Sequence, residues 1–569
     1  MSDQQLFMHD NFEEYVPTGK TLYQYLVQES VGFDDMPALS YYGIKTSYRT
    51  LFERIDEVER SLRAMGIGKG DVVAASLPGM PEGVALIYAI NKIGAVYCAF
   101  DCRCKRAEVE DTLKVFKPKL VVVPDFQVKH LKGIRNCPIV YVDMTHAIGG
   151  PMVVAGFLTD LVCGRKFVEW SHKNIMTYDR FLKLGKKGEN RPAEGCGTDV
   201  FGYFYTSGTT YGRKSIILTN ENVNAAVIQF GGVYGEQEKL IEKGETILNI
   251  MPLFTCYGMT IATHMPLTLG VRVKLVPLLN TKKMKEKLLK EHPNFIITVP
   301  AHWEYFVKED FTDCDLSFLK LVIVGGDTIN PEYEDRINQI FKEHGSKTWL
   351  HSGYGLSETT SSGTAPTEGT PKGSVGKTMK YTLLGIFDQD TCEPLPAGEK
   401  GEICISGPTL CEGYFGEPEL SANLLRTHAD GRVWLHSGDI GYLDEEGYLF
   451  FCERIKRMYV RHDGTKVSPY SIEQVLATSP VVERVMITAV PDTRHTHGKY
   501  AKAIIVLKEG VTEQKAEEHL HKFMKENLAA HMIPREMVFV DKLPYTKMGK
   551  LDYFAGEQLG REPEGKKKK

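Results

Sequence analysis

The chain has 569 residues, 42% hydrophobic and 25% charged, with a formal net charge of −4. That length accommodates about four domain-sized units, and the composition is that of an ordinary globular protein. The near-neutral balance argues against a nucleic-acid partner, no apolar run approaches the ~18 residues of a membrane helix, and the acidic start MSDQQLFMHDNFEE is no secretory signal, so a cytoplasmic protein without an integral membrane segment is expected.

In 51–66, Leu51, Ile55, Val58 and Leu62 share one helical face, and Gly66 sits where a helix ends. A buried strand follows over 71–79, a helix over 82–94, a strand over 95–100, a helix over 107–116 and a strand over 119–125. This alternation predicts a parallel sheet with helices on both faces. The pattern returns between 220 and 350, where 294–300 and 320–326 read as strand ends, the places where ligands gather in open α/β sheets. From about 370, short alternating strands such as 399–407 and 447–454 predict a small β barrel or sandwich. After 456 a compact α+β unit follows, its helix 512–530 burying Ala516, Leu520, Phe523, Met524 and Leu528. Cys98, Cys102 and Cys104 form the one cysteine cluster, without the second pair that zinc spacings need, and read as reduced thiols. His495 and His497 form an isolated pair, and the terminal lysines 566–569 read as a solvated end.

The stretch 206-TSGTTYGRKS-215 brings together the hydroxyls of Thr206, Ser207, Thr209 and Thr210, the flexible Gly208 and Gly212, and the cation Lys214. That is what a polyphosphate needs, although Arg213 breaks the Walker A spacing. A solvated turn is the other reading of the loop alone. Further on lie 353-GYGLSETT-360, 436-HSGDIGYLDEEGYLFFCERIK-456 and 543-LPYTKMGKLDY-553. In this order, from about residue 20 to 555, these stretches resemble the superfamily of adenylate-forming enzymes, which holds acyl-CoA synthetases, carrier-loading adenylation domains and beetle luciferase.

The resemblance implies a large amino-terminal part, 1–455, with two doubly wound sheet subdomains and a small β barrel, and a small mobile α+β domain, 456–569, hinged at Lys456. It implies ATP, Mg²⁺ and coenzyme A as reactants and cofactor, a carboxylic acid as substrate, and leaves a homodimer open. Thr206, Ser207, Gly208, Thr209, Thr210 and Lys214 would grip phosphates, and Glu358 would hold Mg²⁺. Gly325, Gly326, Asp327, Tyr354 and Ser357 would frame the adenine, and Asp439 and Arg454 the ribose. Lys550 would bridge the attacking carboxylate and the α-phosphate. Loop 461–466, with Gly464 and Lys466, would line a thiol tunnel. Tyr257, His302, Trp303, Phe306 and Gly325 would wall the acyl pocket, left open by Gly355 where acetate-specific relatives carry tryptophan; core packing is the other reading of Trp303 and Phe306. Medium- and long-chain fatty acids or another bulky acid are the expected substrates.

The sequence departs from the family spelling at Tyr211, Arg213 and Ser215 in the phosphate loop, at Thr255 in place of a histidine, and at Tyr553 in place of an arginine. Two rival functions accompany the acid–CoA ligase: a ligase that loads a carrier protein, and a non-catalytic nucleotide-binding protein.

Overall fold

Apolar runs between amphipathic helices become two seven-stranded sheets in the computed structural model, which describes residues 13–560 apart from 132, 136, 149–173, 207–213, 278–279, 328, 330, 464, 493, 496–497 and 547–549. The first sheet runs Ile175–Thr177, Ile139–Val142, Leu120–Pro124, Val72–Ala75, Val96–Ala99, Val200–Tyr205 and Ser215–Thr219. The second runs Leu350–Ser352, Leu321–Val324, Phe295–Thr298, Thr246–Asn249, Arg272–Leu275, Pro37–Tyr41 and Ile44–Ser47. Each is parallel except for the strand at its last-named edge. Strands such as Leu120–Pro124 are buried at every residue, as expected when helices cover both faces.

The local causes are visible in the helices. Ser47 caps Tyr48–Ala64 by accepting from Thr50 N, and Leu51, Ile55, Val58 and Leu62 are buried. Each such aliphatic side chain contributes about 1.5–3 kcal/mol by leaving water. Gly66, at φ +74°, turns the chain out of that helix. Helix Pro81–Lys92 starts with proline, which has no N–H to leave unpaired there, and is buried on all sides. It belongs to a core shared by both large sheets.

The expected β unit is a five-stranded antiparallel sheet of Leu383–Phe387, Gly401–Ser406, Val433–Leu443, Leu425–Thr427 and Leu449–Arg454. The carboxy-terminal unit has a three-stranded sheet of Val482–Pro491, Lys499–Leu507 and Glu536–Phe539. Helix Glu513–Asn527 packs on it through Ala516, Leu520 and Met524, joined by Leu528; Phe523 is partly buried at its margin. The eleven described cysteines are free thiols. Cys98 and Cys104 share one apolar core and Cys102 belongs to another. Among the described residues no helix is long and apolar enough to cross a membrane.

Candidate active site

A cavity of about 1020 Å³ opens at the carboxyl ends of the strands and between the large part and the carboxy-terminal unit. Thr206, Lys214, Tyr257, Gly325, Gly326, Asp327, Tyr354, Gly355, Ser357, Glu358, Asp439, Arg454, Lys456 and Lys550 all line it. Residues separated by more than 300 positions in sequence therefore meet around one space.

One corner is held by strands. Asp439 and Arg454 are register partners on Val433–Leu443 and Leu449–Arg454, and Arg454 Nε lies 3.1 Å from Asp439 Oδ1. The Tyr354 hydroxyl donates to Asp439 Oδ2 at 2.9 Å, and Asp439 N donates to Ser437 Oγ at 3.0 Å. Burial pushes the Asp439 carboxyl above the usual range, against the pull of Arg454 and Tyr354. Its Oδ1 is buried and, though within ion-pair distance of Arg454, accepts no hydrogen bond.

Lys550 enters from the carboxy-terminal unit. Its loop closes on itself: Thr546 N donates to Lys550 O at 2.7 Å, and Lys550 N to Thr546 Oγ1 at 3.2 Å. Burial, then the neighbouring Arg454, pushes the Lys550 ammonium below the ordinary lysine range; Asp327, Glu358 and Asp439 oppose that shift. A cation in this setting gains most from an added anion. Gly326, at φ +84°, faces the same ammonium-bearing chain: a Cβ there would lie 3.9 Å from Lys550 Cε.

Of the phosphate-loop candidates, Thr206 and Lys214 directly follow and precede two paired strands. Strands Val200–Tyr205 and Ser215–Thr219 pair antiparallel, and Thr206 N donates to Lys214 O at 2.9 Å. Ser207, Gly208, Thr209, Thr210, Tyr211 and Arg213 lie outside the described residues, as does Gly464; Lys466 begins the short strand Lys466–Val467. Lys214 Nζ stands 4.7 Å from the centroid of the Tyr414 ring, and the Tyr414 hydroxyl donates to Glu358 Oε1 at 2.8 Å. Sequence reading missed Tyr414. The bridge between Ile216 and Tyr414 brings it to the hairpin, and no local pattern announces that pairing.

The acyl wall needs correction. Trp303 and Phe306 are 0% and 1% exposed and pack with Phe311 and Phe341 in a separate core. Trp303 Nε1 donates to Thr298 Oγ1 at 2.9 Å. They are core residues, because the turn after Phe295–Thr298 folds them back against helix Pro331–Glu343 rather than toward the cavity. His302 also lies off the cavity lining; burial lowers its imidazole to about 4. The apolar side chains on the cavity lining are instead Phe230, Tyr234, Met251, Tyr257, Val299 and Ile323. The Tyr257 hydroxyl is buried without a hydrogen-bond partner. Gly355 lines the cavity, yet a Cβ on it would lie 2.9 Å from the Ser361 backbone. Close packing with Ser361 therefore also requires glycine there. Thr255 has a structural role: its Oγ1 accepts from Gly258 N at 3.0 Å and donates to Pro252 O at 2.7 Å, capping Cys256–Met259. Tyr553 takes up Arg457, whose guanidinium lies 4.0 Å from its ring centroid and pairs with Glu473 at 2.6 Å.

Residues 27–415 match the family model described as AMP-binding enzyme, and 471–550 match the AMP-binding enzyme C-terminal domain. The chain is 26% identical over 540 residues to the long-chain-fatty-acid–CoA ligase of Bacillus subtilis (strain 168), covering 94% of this chain and 93% of that protein. It is 24% identical over 549 residues to 4-coumarate-CoA ligase 1 of Narcissus pseudonarcissus, covering 94% and 93%. Among solved structures, the anthranilate CoA ligase AuaEII in complex with anthranoyl-AMP superposes with a TM-score of 0.78 at 21% identity, covering 95% of this chain and 98% of that one.

Proposed function

The chain belongs to the AMP-binding enzyme family, and we propose on that premise that it is an acid–CoA ligase working in two half-reactions. The substrate carboxylate attacks the α-phosphorus of ATP, giving acyl-AMP and pyrophosphate. The thiol of coenzyme A then loses its proton, attacks the acyl carbon and expels AMP. The relatives named above, ligases of fatty and aromatic acids with coenzyme A, support this reading.

The difficulty of the first step is that an anion must approach an anion, so the protein's work is positioning and charge neutralisation. One observation carries the assignment: Lys550, half-buried in the cavity lining, keeps company with Arg454, Asp327, Glu358 and Asp439. Its ammonium bridges the two negative reactants; a flexible point charge suits a site where charge develops between them. Asp439, whose buried Oδ1 faces the Arg454 guanidinium without a hydrogen bond, accepts from the ribose hydroxyls, and Arg454 holds that carboxylate. Gly325, Gly326, Asp327, Tyr354 and Ser357 frame the base. Thr206 and Lys214 hold the outer phosphates together with residues 207–210. Glu358 offers the carboxylate oxygen that a hard cation such as Mg²⁺ prefers, and that cation when bound neutralises phosphate charge.

The chain divides at 455/456, with Lys456 at the hinge and loop 461–466 serving the thiol step after the small domain turns. The apolar wall of Phe230, Tyr234, Met251, Val299 and Ile323 suits a medium- or long-chain fatty acid or a bulky aromatic acid.

The deciding assay is a pyrophosphate-release screen of fatty, aromatic and steroidal acids with ATP, Mg²⁺ and coenzyme A. Free acyl-CoA from a fatty or bulky acid is the expected product. Acyl transfer only to a carrier protein would replace coenzyme A in this reading, and absence of acid-dependent pyrophosphate would remove the ligase activity altogether.

A further inference from the structure

On the strand that carries Asp439 and its neighbour Gly401–Ser406 lies a second constellation that the proposed ligase reaction does not use. Glu402 and Cys404 stand two apart on strand Gly401–Ser406, so both side chains leave the same face. His436 is the cross-strand partner of Cys404. All three are buried, with exposures of 8%, 0% and 6%. His436 Nδ1 lies 3.6 Å from Cys404 Sγ and 2.8 Å from Glu402 Oε2. A tetrahedral zinc, with Zn–S of about 2.3 Å and Zn–N of about 2.0 Å, holds sulfur and nitrogen roughly 3.6 Å apart.

We propose that Glu402, Cys404 and His436 form a binding site for a thiophilic divalent cation, Zn²⁺ or Co²⁺, completed by a water molecule. The three side chains carry the ligand types zinc takes, and their donor atoms already lie within 4.8 Å of one another. The other ring nitrogen of His436 is provided for as well. His428 Nε2 lies 2.9 Å from His436 Nε2, and His428 Nδ1 is buried without a partner. A ligating histidine donates its remaining N–H to an outer acceptor, which fixes its tautomer. Here His428 Nε2 accepts that proton, and its Nδ1 carries the N–H that now has no acceptor to lose.

Binding balances in charge and protons. The Cys404 thiol proton goes to solvent, and the ligating His436 carries its one proton on Nε2, donated to His428 Nε2, whose own proton then sits on Nδ1. A dication with one thiolate and one carboxylate is neutral, which a buried site favours. Glu402 and His436 also line the large cavity, which provides the entry path. Glu402 Oε1 accepts from Gly438 N at 2.9 Å, one residue before Asp439. A cation here thus ties together Gly401–Ser406 and the strand that carries Asp439, beside the corner assigned to ribose.

The test uses the full chain, metal-stripped and without nucleotide, titrated with Co²⁺ under reducing, oxygen-free conditions. The expected result is one tightly held Co²⁺ per chain with a thiolate-to-cobalt charge-transfer absorption, lost on adding Zn²⁺. Cys404→Val removes the band; His428→Phe keeps it and weakens binding about 10- to 100-fold. A wild-type protein with no such band at saturating Co²⁺ overturns the proposal and leaves a hydrogen-bonded network. So does a band that persists in Cys404→Val, since another cysteine then supplies the thiolate. Thermal melts check that the variants fold. Should Cys404→Val not fold, Glu402→Gln decides: unchanged Co²⁺ affinity overturns the site, and weakened affinity supports it.

Discussion

The Asp439–Arg454 corner and the Lys550 loop solve the same problem, holding a charge in a cleft, by opposite means. Asp439 and Arg454 face each other across paired strands, and Tyr354 locks the carboxylate from a third element. Lys550 belongs to a unit whose grip on the rest of the chain is largely polar. Across that seam Lys308 pairs with Glu483 at 2.6 Å, Arg484 with Glu304 at 3.2 Å, and the Tyr333 hydroxyl donates to Glu483 at 3.1 Å. Partly exposed ion pairs contribute only about 0–1 kcal/mol each. The first arrangement fixes its groups through paired strands, and the second is what the proposed turning of the small domain would have to break.

Lys550→Ala gives the largest expected effect. Acid-dependent pyrophosphate exchange falls about 10²–10³-fold, the cost of removing one developing-charge stabiliser, while acyl transfer from supplied acyl-AMP to coenzyme A stays near normal. Equal loss in both half-reactions would falsify the division of labour. The same ammonium makes a pH prediction. In the proposed mechanism adenylation needs it protonated, so the rate falls as pH rises through a value below the ordinary 10.5. Asp327 pulls that value upward, so Asp327→Asn moves the alkaline limb to lower pH.

Asp439→Asn is the next largest. Losing a charged acceptor costs about 1.5–3 kcal/mol, read as a raised KM for ATP of roughly 10- to 100-fold, with similar effect in salt and in its absence. A strong salt dependence would mean the corner is less rigid than its strands imply. The seam responds oppositely. Glu483→Lys places like charges at Lys308, and adenylation slows by less than about 5-fold, recovering as added salt screens the repulsion. Thiol transfer from acyl-AMP is unchanged or faster.

The smallest effect lies in the static part of the molecule. His146 bonds Glu82 at 2.7 Å and Asp179 at 3.1 Å. Burial lowers its affinity for a proton, but the hydrogen bonds and charges of those carboxylates prevail, and its value is raised. A raised folded value contributes stability fully present below the unfolded histidine value, about 6.5, and lost as pH rises through the folded one. His146→Gln should flatten that slope in urea melts, with activity unaltered.

Much of this architecture is readable in the residues. The stripe Leu51, Ile55, Val58, Leu62 and the wholly apolar strand Leu120–Pro124 report their own burial, because period and hydrophobicity are local. The cavity set is readable through resemblance, since Tyr354, Glu358, Asp439, Arg454 and Lys550 stand in spelled motifs, and the fold gathers them. What fails is whatever depends on where a turn points. Trp303 and Phe306 follow a strand end as pocket residues do, yet one helical turn sends them into a core. Tyr414 reaches the hairpin only through a bridge formed some 200 residues away in sequence. Glu402, Cys404 and His436 escape any spacing rule, because their proximity exists only in the register between two strands.

Gly355 leaves one consequence for the history of such enzymes. Because a Cβ there meets the Ser361 backbone, a lineage with this loop cannot shorten its acyl tunnel by a single codon change at 355. A change in chain-length preference would instead have to come from lining residues such as Met251 or Ile323, which are themselves buried in the core, or from a rebuilt loop.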